Sequence, residues 1–265
     1  MTGPGTRSAR HRPPHPAATA VRAVAAGAQM ETKLAGISPL AIMSSSLTPV
    51  AYGVVVTAGV GEPNASLLLG TVAAGIWGTL QVSAAVTVTQ ERSWQTLQLV
   101  AASPVPLAGP LVGRMLAATA QALLAVPATV AIIGLLFGGF GEVAWGRSLI
   151  ALAVLTAGLL GMSLFLMGAL TRFRYSAGMV NGLFGVVLLL GGFFVPLQAL
   201  PRPFQVAGYT LPAPWAIDAA RAVNPQPWRS LLVGTVVSLA WLAAGVLYVT
   251  RAERRLRRSP SAYSH

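Results

Sequence analysis

The sequence predicts an all-α membrane protein with six transmembrane helices, and its composition and its long apolar runs both support this fold class. Of the 265 residues, 54% are hydrophobic and only 9% are charged, whereas soluble domains carry about 25% charged residues. The mean hydropathy is +0.67. Membrane-spanning β-strands would be shorter and would alternate apolar with polar residues, so apolar runs of this length indicate helices.

Six apolar segments are long enough to cross a bilayer, because a hydrocarbon core of ~30 Å takes ~20 helical residues. Together they form a transmembrane domain that we place at residues 37–250. The six predicted spans cover residues 38–59, 66–88, 111–137, 148–170, 176–195 and 230–250.

The basic residues predict how the chain is oriented. Fourteen of the 18 Lys and Arg residues lie in the two tails and in the loops after the second and fourth spans, and four lie on the other side. Because Lys and Arg are enriched in cytoplasmic loops, we expect both termini in the cytoplasm. The Ala-, Arg- and Gly-rich composition is typical of a high-GC bacterium, so we expect a multi-pass protein of a bacterial cytoplasmic membrane.

The two tails differ from the apolar domain in composition. Residues 1–16 are rich in Pro and Arg and predict a disordered cytoplasmic tail. Residues 17–36 form either a weakly amphipathic interfacial helix or an Ala-rich linker. Residues 251–265 form a basic cytoplasmic tail that we expect to anchor the last span and to bind anionic lipid.

A short polar-to-amphipathic segment, residues 90–103, lies between the second and third spans. Glu91 begins a polar helix face, while Trp94 and Leu97 belong to an apolar one. Pro104 ends the helix, because proline lacks a donor and restricts the residue before it. A mere connection seldom needs such an element, whereas a partner that pushes on the membrane domain would.

The segment before the last span, residues 196–222, is apolar for a loop and contains five prolines. This composition predicts an outer re-entrant hairpin of two short helices that closes the outer end of a path. Irregular backbone at membrane depth is tolerated only where it is buried or lines a cavity. The alternative is an interfacial loop anchored by Trp215 and Trp228, as in aromatic belts.

Several function classes are disfavoured by what the sequence lacks. There is no Cys, so disulfides and thiolate ligands are excluded. His11, His15 and His265 all lie in the tails, and we expect neither a metal site nor an enzymatic activity. No GxxxxGK[ST] sequence occurs, so the chain has no P-loop for ATP. The basic residues flank apolar runs, which favours contact with anionic lipid over nucleic acid.

Two stretches resemble the permease subunits of type-2 ATP-binding-cassette exporters, and the similarity extends over nearly the whole chain. The family shows Glu-Arg, a Gly-Thr-Leu-Glu core and Thr-Pro-Val in the first, and here Gln95 replaces the Gly and Gln98 the Glu. The first stretch consists of Glu91-Arg92, Thr96-Leu97, Leu99 and Ser103-Pro104-Val105. The second consists of residues 192–196, Leu200-Pro201, Leu211-Pro212 and Ala220-Arg221.

The resemblance implies a transport subunit that is driven by a separate nucleotide-binding ATPase, with ATP and Mg on that partner and no cofactor on this chain. It also implies a second permease copy, as a homodimer or with a close relative. The implied ATPase-coupling residues are Glu91, Arg92, Trp94, Thr96, Leu97, Leu99 and Pro104. The implied outer gate contains Phe193, Phe194, Pro196, Pro201, Pro212, Trp215 and Arg221.

Polar residues within the spans are candidates for a substrate path, because polar groups are costly in a membrane. Gln81, Gln121 and Asn181 are of this kind, and hydrogen bonding between helices is the alternative for each. The apolar surroundings favour export of a lipophilic drug, antibiotic or lipid. The alternatives are a permease for lipid-linked polysaccharide, a non-transporting membrane module of the same fold, and a secondary carrier, which the lack of acidic residues within the spans disfavours.

Overall fold

The protein is described by a computed structural model, and all of its regular elements are helical. No β-strand occurs within the residues that the structure describes. These residues are 16–35, 47, 49–51, 53–55, 65–94, 108–137, 143–172, 177–221 and 224–258.

Eight α-helices and one 3₁₀ turn, Leu197–Ala199, are complete within the described ranges. The helices are α1 (Pro16–Ala35), α2 (Ala65–Ser93), α3 (Ala108–Phe137), α4 (Trp145–Leu170), α5 (Ala177–Leu190), α6 (Arg202–Gly208), α7 (Pro212–Ala220) and α8 (Pro227–Arg258).

Four of these helices, α2, α3, α4 and α8, are long and apolar enough to cross a membrane. They correspond to the second, third, fourth and sixth predicted spans. The fifth predicted span corresponds to α5, a shorter apolar helix of 14 residues. Described residues 47, 49–51 and 53–55 of the first predicted span are helical. The four long helices confirm a multi-pass helical protein, and the count of six stays a prediction.

Helix α5 ends at Leu190 rather than at Val195, because the chain turns at two glycines. Gly192 has a φ of 64°, a left-handed conformation that is strained for residues with a Cβ atom. Phe193, which follows this turn, is 1% exposed. The turn therefore brings the start of the outer segment into the helix bundle.

The outer segment contains two short helices that differ in burial. Helix α7 lies against α2, α4 and α8, and most of its residues are buried. Helix α6 is mostly exposed, with Gly208 as its one buried residue. Two short helices agree with the predicted hairpin, and its depth in the membrane stays a prediction.

Helices α4, α7 and α8 pack closely through small and apolar residues. A Cβ atom added to Gly161 of α4 would overlap the backbone of Leu242 in α8. The hydroxyl of Ser238 in α8 donates a hydrogen bond of 2.8 Å to the carbonyl oxygen of Val154 in α4. Helices α4 and α8 therefore approach each other so closely that their backbones are in contact.

Helix α1 packs lengthwise on the first half of α3, again through glycine. A Cβ atom on Gly113 of α3 would overlap the carbonyl oxygen of Val24, and one on Gly27 of α1 would overlap that of Pro110. The buried stripe of α1 consists of Ala23, Gly27 and Glu31 at intervals of four residues. The chain thus forms a helix in the stretch predicted as 17–36, and contact of its exposed face with the bilayer interface stays a prediction.

Helix α2 is longer than predicted at its carboxyl end. It continues without a break through residues 90–93, because no proline or glycine separates Val88 from Gln90. The first residues of the segment predicted at 90–103 therefore form the last turn of a membrane-spanning helix. Residues 95–107, which include the remainder of that segment, lie outside the described residues.

Candidate transport cavity and ion-pair cluster

A buried ion-pair cluster joins α1, α2 and α3. The guanidinium group of Arg114 donates to Glu31 Oε2 at 2.9 Å, to Glu91 Oε1 at 3.0 Å and to Gln90 Oε1 at 3.0 Å. The Arg114 side chain is 2% exposed, and those of Glu31 and Glu91 are 8% and 10% exposed. One arginine thus holds side chains from two other helices in a water-poor environment.

The geometry of this cluster makes it position-sensitive. Arginine presents several donors in a rigid planar fork, so that each acceptor must keep its place. Removing one partner of a buried ion pair costs about 3–5 kcal/mol, because the remaining charge has lost its counter-ion. A movement of the α2 end relative to α1 or α3 would therefore disturb ion pairs that are costly to lose.

The sequence alone did not identify this cluster. Arg114 is one of the basic residues in the predicted loop after the second span, and the sequence predicts no role for Glu31. One sequence feature could have identified Glu31 as a buried residue. It follows Ala23 and Gly27 at intervals of four residues, on the stripe of α1 that packs against α3. An acidic residue on such a stripe requires a cation opposite it.

The structure places three of the seven predicted ATPase-coupling residues. Glu91 is buried and contacts Arg114, as described above. Arg92 donates to the carbonyl oxygens of Leu170 and Thr171 at 2.8 and 3.0 Å, which ties the α2 end to the α4 end. Trp94 is 48% exposed. Thr96, Leu97, Leu99 and Pro104 lie outside the described residues.

A cavity of about 460 Å³ lies between α2, α3 and α5, with α1 at one end. Its lining follows α2 from Ala74 to Gln90, a length of about 24 Å at the helical rise. Drug-sized ligands commonly occupy cavities of about 300–1,000 Å³. The cavity is thus large enough for a small lipophilic molecule and extends through much of a membrane thickness.

All three residues predicted for the substrate path line this one cavity. Gln81 lies on α2, Gln121 on α3 and Asn181 on α5, and the ring of Phe184 lies beside them. Away from the ion-pair cluster, the rest of the wall is mostly apolar, with Thr79 and Ser83 as further polar residues. Three amide groups in an apolar cavity can hold a cargo that combines an apolar body with a few hydrogen-bonding groups.

Gln81 has an amide oxygen without a hydrogen-bond donor. The side chain is 2% exposed, and its amide nitrogen donates to the carbonyl oxygen of Val180 in α5. Because that carbonyl oxygen can only accept, the nitrogen is directed to it, and no donor from the described residues reaches Gln81 Oε1. A buried acceptor left in this state costs about 1–3 kcal/mol, and in this structure the oxygen atom is closed off from the cavity.

One end of the cavity is formed by the ion-pair cluster itself. Glu31, Gln90 and Arg114 all belong to the cavity wall. The side chains that join α1, α2 and α3 are therefore the same ones that close this end of the cavity. A rearrangement of the cluster would change the cavity's shape.

The predicted outer-gate residues do not form a single surface. Phe193 and Pro212 are buried, Phe194, Trp215 and Arg221 are half-buried, and Pro196 and Pro201 are exposed. The indole nitrogen of Trp215 donates to the carbonyl oxygen of Tyr209 at 2.9 Å. The structure thus joins the two short helices through Trp215 and leaves two of the prolines at the surface.

Comparison with protein families shows where the chain belongs. Residues 26–224 match the family model described as ABC-2 type transporter. No match was found among curated proteins. The matched range contains the second half of α1, the cavity, the ion-pair cluster and the two short helices, and it covers well over half of the chain. The chain therefore belongs to the ABC-2 type transporter family and is a membrane-spanning permease of that family.

Proposed function

We propose that this permease exports a lipophilic drug, antibiotic or lipid from the cytoplasm or the inner leaflet, with energy from ATP hydrolysed on a separate subunit. The observation that carries the proposal is the shared wall of the cavity and the ion-pair cluster. Gln90 and Arg114 belong to both. The segment proposed to contact the ATPase follows directly after Gln90 in sequence.

This arrangement supports a mechanism by which an ATPase would act on the cavity. A push on the segment at residues 90–103 would move the last turn of α2, which Arg114 connects to α1 and α3. The cluster would pass a movement of α2 on to α1 and α3, because its hydrogen bonds fix the distances among the three helices. Cargo affinity would then change with the position of the α2 end, as alternating access requires.

The size of the cavity and its apolar wall favour a compact cargo over a polysaccharide chain. The amide groups of Gln81, Gln121 and Asn181 supply both donors and acceptors, which suits a molecule with few polar groups. A second permease copy, which we also propose, would place another such cavity in the complex. Both termini are proposed to face the cytoplasm, with the ion-pair cluster at that side.

The partner is tested by affinity purification from the native host in mild detergent. We expect a stoichiometric ATPase subunit to co-purify with the unaltered permease, and Leu97→Asp with Leu99→Asp to release it while the permease stays in the membrane. ATP-driven export that persists in this double variant would contradict the coupling role of the segment. A permease that purifies alone, under conditions that preserve a known exporter complex, would favour the carrier or non-transporting alternatives.

The cavity is tested with the purified permease–ATPase complex and a panel of lipophilic compounds that stimulate its ATPase activity. Gln81→Leu should raise the half-maximal concentration of a hydrogen-bonding compound about fivefold, as the loss of one hydrogen bond of ~1 kcal/mol predicts. Thr156→Val is the matched control, because this buried hydroxyl bonds only within α4, to the Leu152 carbonyl oxygen at 2.8 Å. An equal rise of the half-maximal concentration in both variants would contradict a role of the cavity in transport.

A further inference from the structure

A second, smaller cavity at the carboxyl ends of α4 and α8 is lined by three arginines. Its volume is about 140 Å³. Thr171 and Arg172 line it from the α4 end, and Tyr248, Arg251 and Arg255 line it from α8. Residues 248, 251 and 255 are separated by intervals of three and four residues, so they share one face of α8.

No acidic side chain lines this cavity. Four of the six acidic residues of the chain lie in the described part, and each has a partner elsewhere. Glu31 and Glu91 contact Arg114, Asp218 contacts Arg221, and Glu253 contacts Arg257. The cavity therefore concentrates positive charge, and within the described residues no hydrogen bond or ion pair involves the side chain of Arg251 or Arg255.

The helix end beside the cavity does not account for these arginines. The last carbonyl groups of a helix carry partial negative charge and attract cations. At α4, Arg92 already donates to the carbonyl oxygens of Leu170 and Thr171. Arg251 and Arg255 are additional charges, and an anion is the ligand that they suit.

The surroundings of the cavity favour a lipid as the source of that anion. Val246 and Leu247, immediately before the basic residues of α8, are exposed apolar side chains at 43% and 52%. The exposed apolar residues of α8 are followed within one or two turns by arginines. This order corresponds to the parts of a phospholipid, whose acyl chains adjoin its phosphate. Basic pockets between membrane helices bind anionic headgroups in this manner.

We propose that this cavity, defined by Thr171, Arg172, Tyr248, Arg251 and Arg255, binds the phosphate headgroup of an anionic phospholipid. The forked guanidinium groups of Arg251 and Arg255 would hold the phosphate oxygens through charge-assisted hydrogen bonds. The acyl chains would lie along Val246 and Leu247. The site is separate from the transport cavity and does not depend on the proposed cargo or on the ATPase.

The test is native mass spectrometry of the full-length permease, titrated in detergent with phosphatidylglycerol and separately with phosphatidylcholine. Arg251→Gln with Arg255→Gln should weaken retention of phosphatidylglycerol about tenfold or more, at ~1 kcal/mol for each arginine. Arg254→Gln with Arg258→Gln is the matched control. It removes the same charge from the same helix end, at two residues that do not line the cavity, and should leave retention unchanged.

Four results would overturn the proposal. Equal loss in the two double variants would mean that only the overall surface charge matters, and equal retention of the two lipids would mean that no anion site exists. Inorganic phosphate that displaces phosphatidylglycerol at millimolar concentration would identify a site for free phosphate. Release of the ATPase by Arg251→Gln with Arg255→Gln, without a change in lipid retention, would assign this surface to the partner protein. An unchanged melting temperature of the glutamine variant would show that its loss of lipid is not a loss of fold. Arg251→Lys with Arg255→Lys keeps both charges and should retain more phosphatidylglycerol than the glutamine variant.

Discussion

The two halves of the bundle are held together by different interactions. In the half formed by α4, α7 and α8, helices meet through small residues and apolar side chains, and Leu155, Leu159 and Met167 are fully buried. The half formed by α1, α2 and α3 also buries apolar residues such as Leu80 and Met115, and it adds close glycine contacts and the buried ion pairs of Arg114. The large cavity borders the second half.

This difference indicates a scaffold and a moving part. Closely packed apolar helices resist displacement, because any shift opens voids or creates overlaps. Contacts that depend on a few directional bonds can break and form again in a second geometry, and a neighbouring cavity supplies the space for this. We infer that α4, α7 and α8 hold their arrangement while α1, the α2 end and α3 change theirs during transport.

Arg114→Met should have the largest effect, because it removes the cation that contacts both Glu31 and Glu91. We expect a loss of about 3–5 kcal/mol in the free energy of unfolding, together with loss of ATP-driven transport. Thermal unfolding in detergent measures the first effect and transport in vesicles the second.

A neutral version of the cluster separates stability from coupling. Arg114→Met combined with Glu31→Gln and Glu91→Gln leaves the cluster without a charge, so most of the stability should return. Transport should remain lost, because the fixed distances among the three helices are gone. If the triple variant transports as well as the unaltered protein, the cluster is structural only and the division into scaffold and moving part fails.

Gly161→Ala should have an intermediate effect and tests the scaffold half. The added Cβ atom would overlap the backbone of Leu242, and forced overpacking of this kind costs about 1–3 kcal/mol. Gly182→Ala, in α5, is the control because nothing lies within 4 Å of its added Cβ atom. It should be neutral or stabilising by about 0.5–1 kcal/mol. Equal melting temperatures of the two variants would show that the α4–α8 contact is not close-packed.

The sequence predicted the elements of this fold better than their contacts. Apolar runs located the four long helices, since an apolar segment of about 20 residues can satisfy its backbone groups in a membrane by forming a helix. The end of α5 was missed, because it depends on the left-handed turn at Gly192 and not on apolarity. Gln81, Gln121 and Asn181 were found as polar residues in apolar spans, and only the packing of three helices shows that they share a cavity.

The ion-pair cluster shows why sequence reasoning failed at one place. Glu31 lies 83 residues from Arg114, and periodicity within a helix carries no information on which helix lies opposite. For Glu91, the sequence predicts a place on a polar helix face, and the resemblance implies a coupling role. Its side chain is 10% exposed and contacts Arg114, while its predicted contact with an ATPase stays a prediction.

The smallest predicted effect compares two hydroxyl groups in the scaffold half. The Ser238 hydroxyl bonds to α4, whereas the Ser163 hydroxyl is buried and has no partner among the described residues. Ser238→Ala should cost about 0.6 kcal/mol, the average for a hydrogen bond between membrane helices. Ser163→Ala should cost nothing or stabilise, because it removes an unsatisfied polar group. Both changes delete one oxygen atom from α4 or α8, so the difference between their melting temperatures isolates the hydrogen bond. If Ser163→Ala were the more damaging, that hydroxyl would gain a partner in another conformation of the transporter, and the half formed by α4, α7 and α8 would not keep a single arrangement.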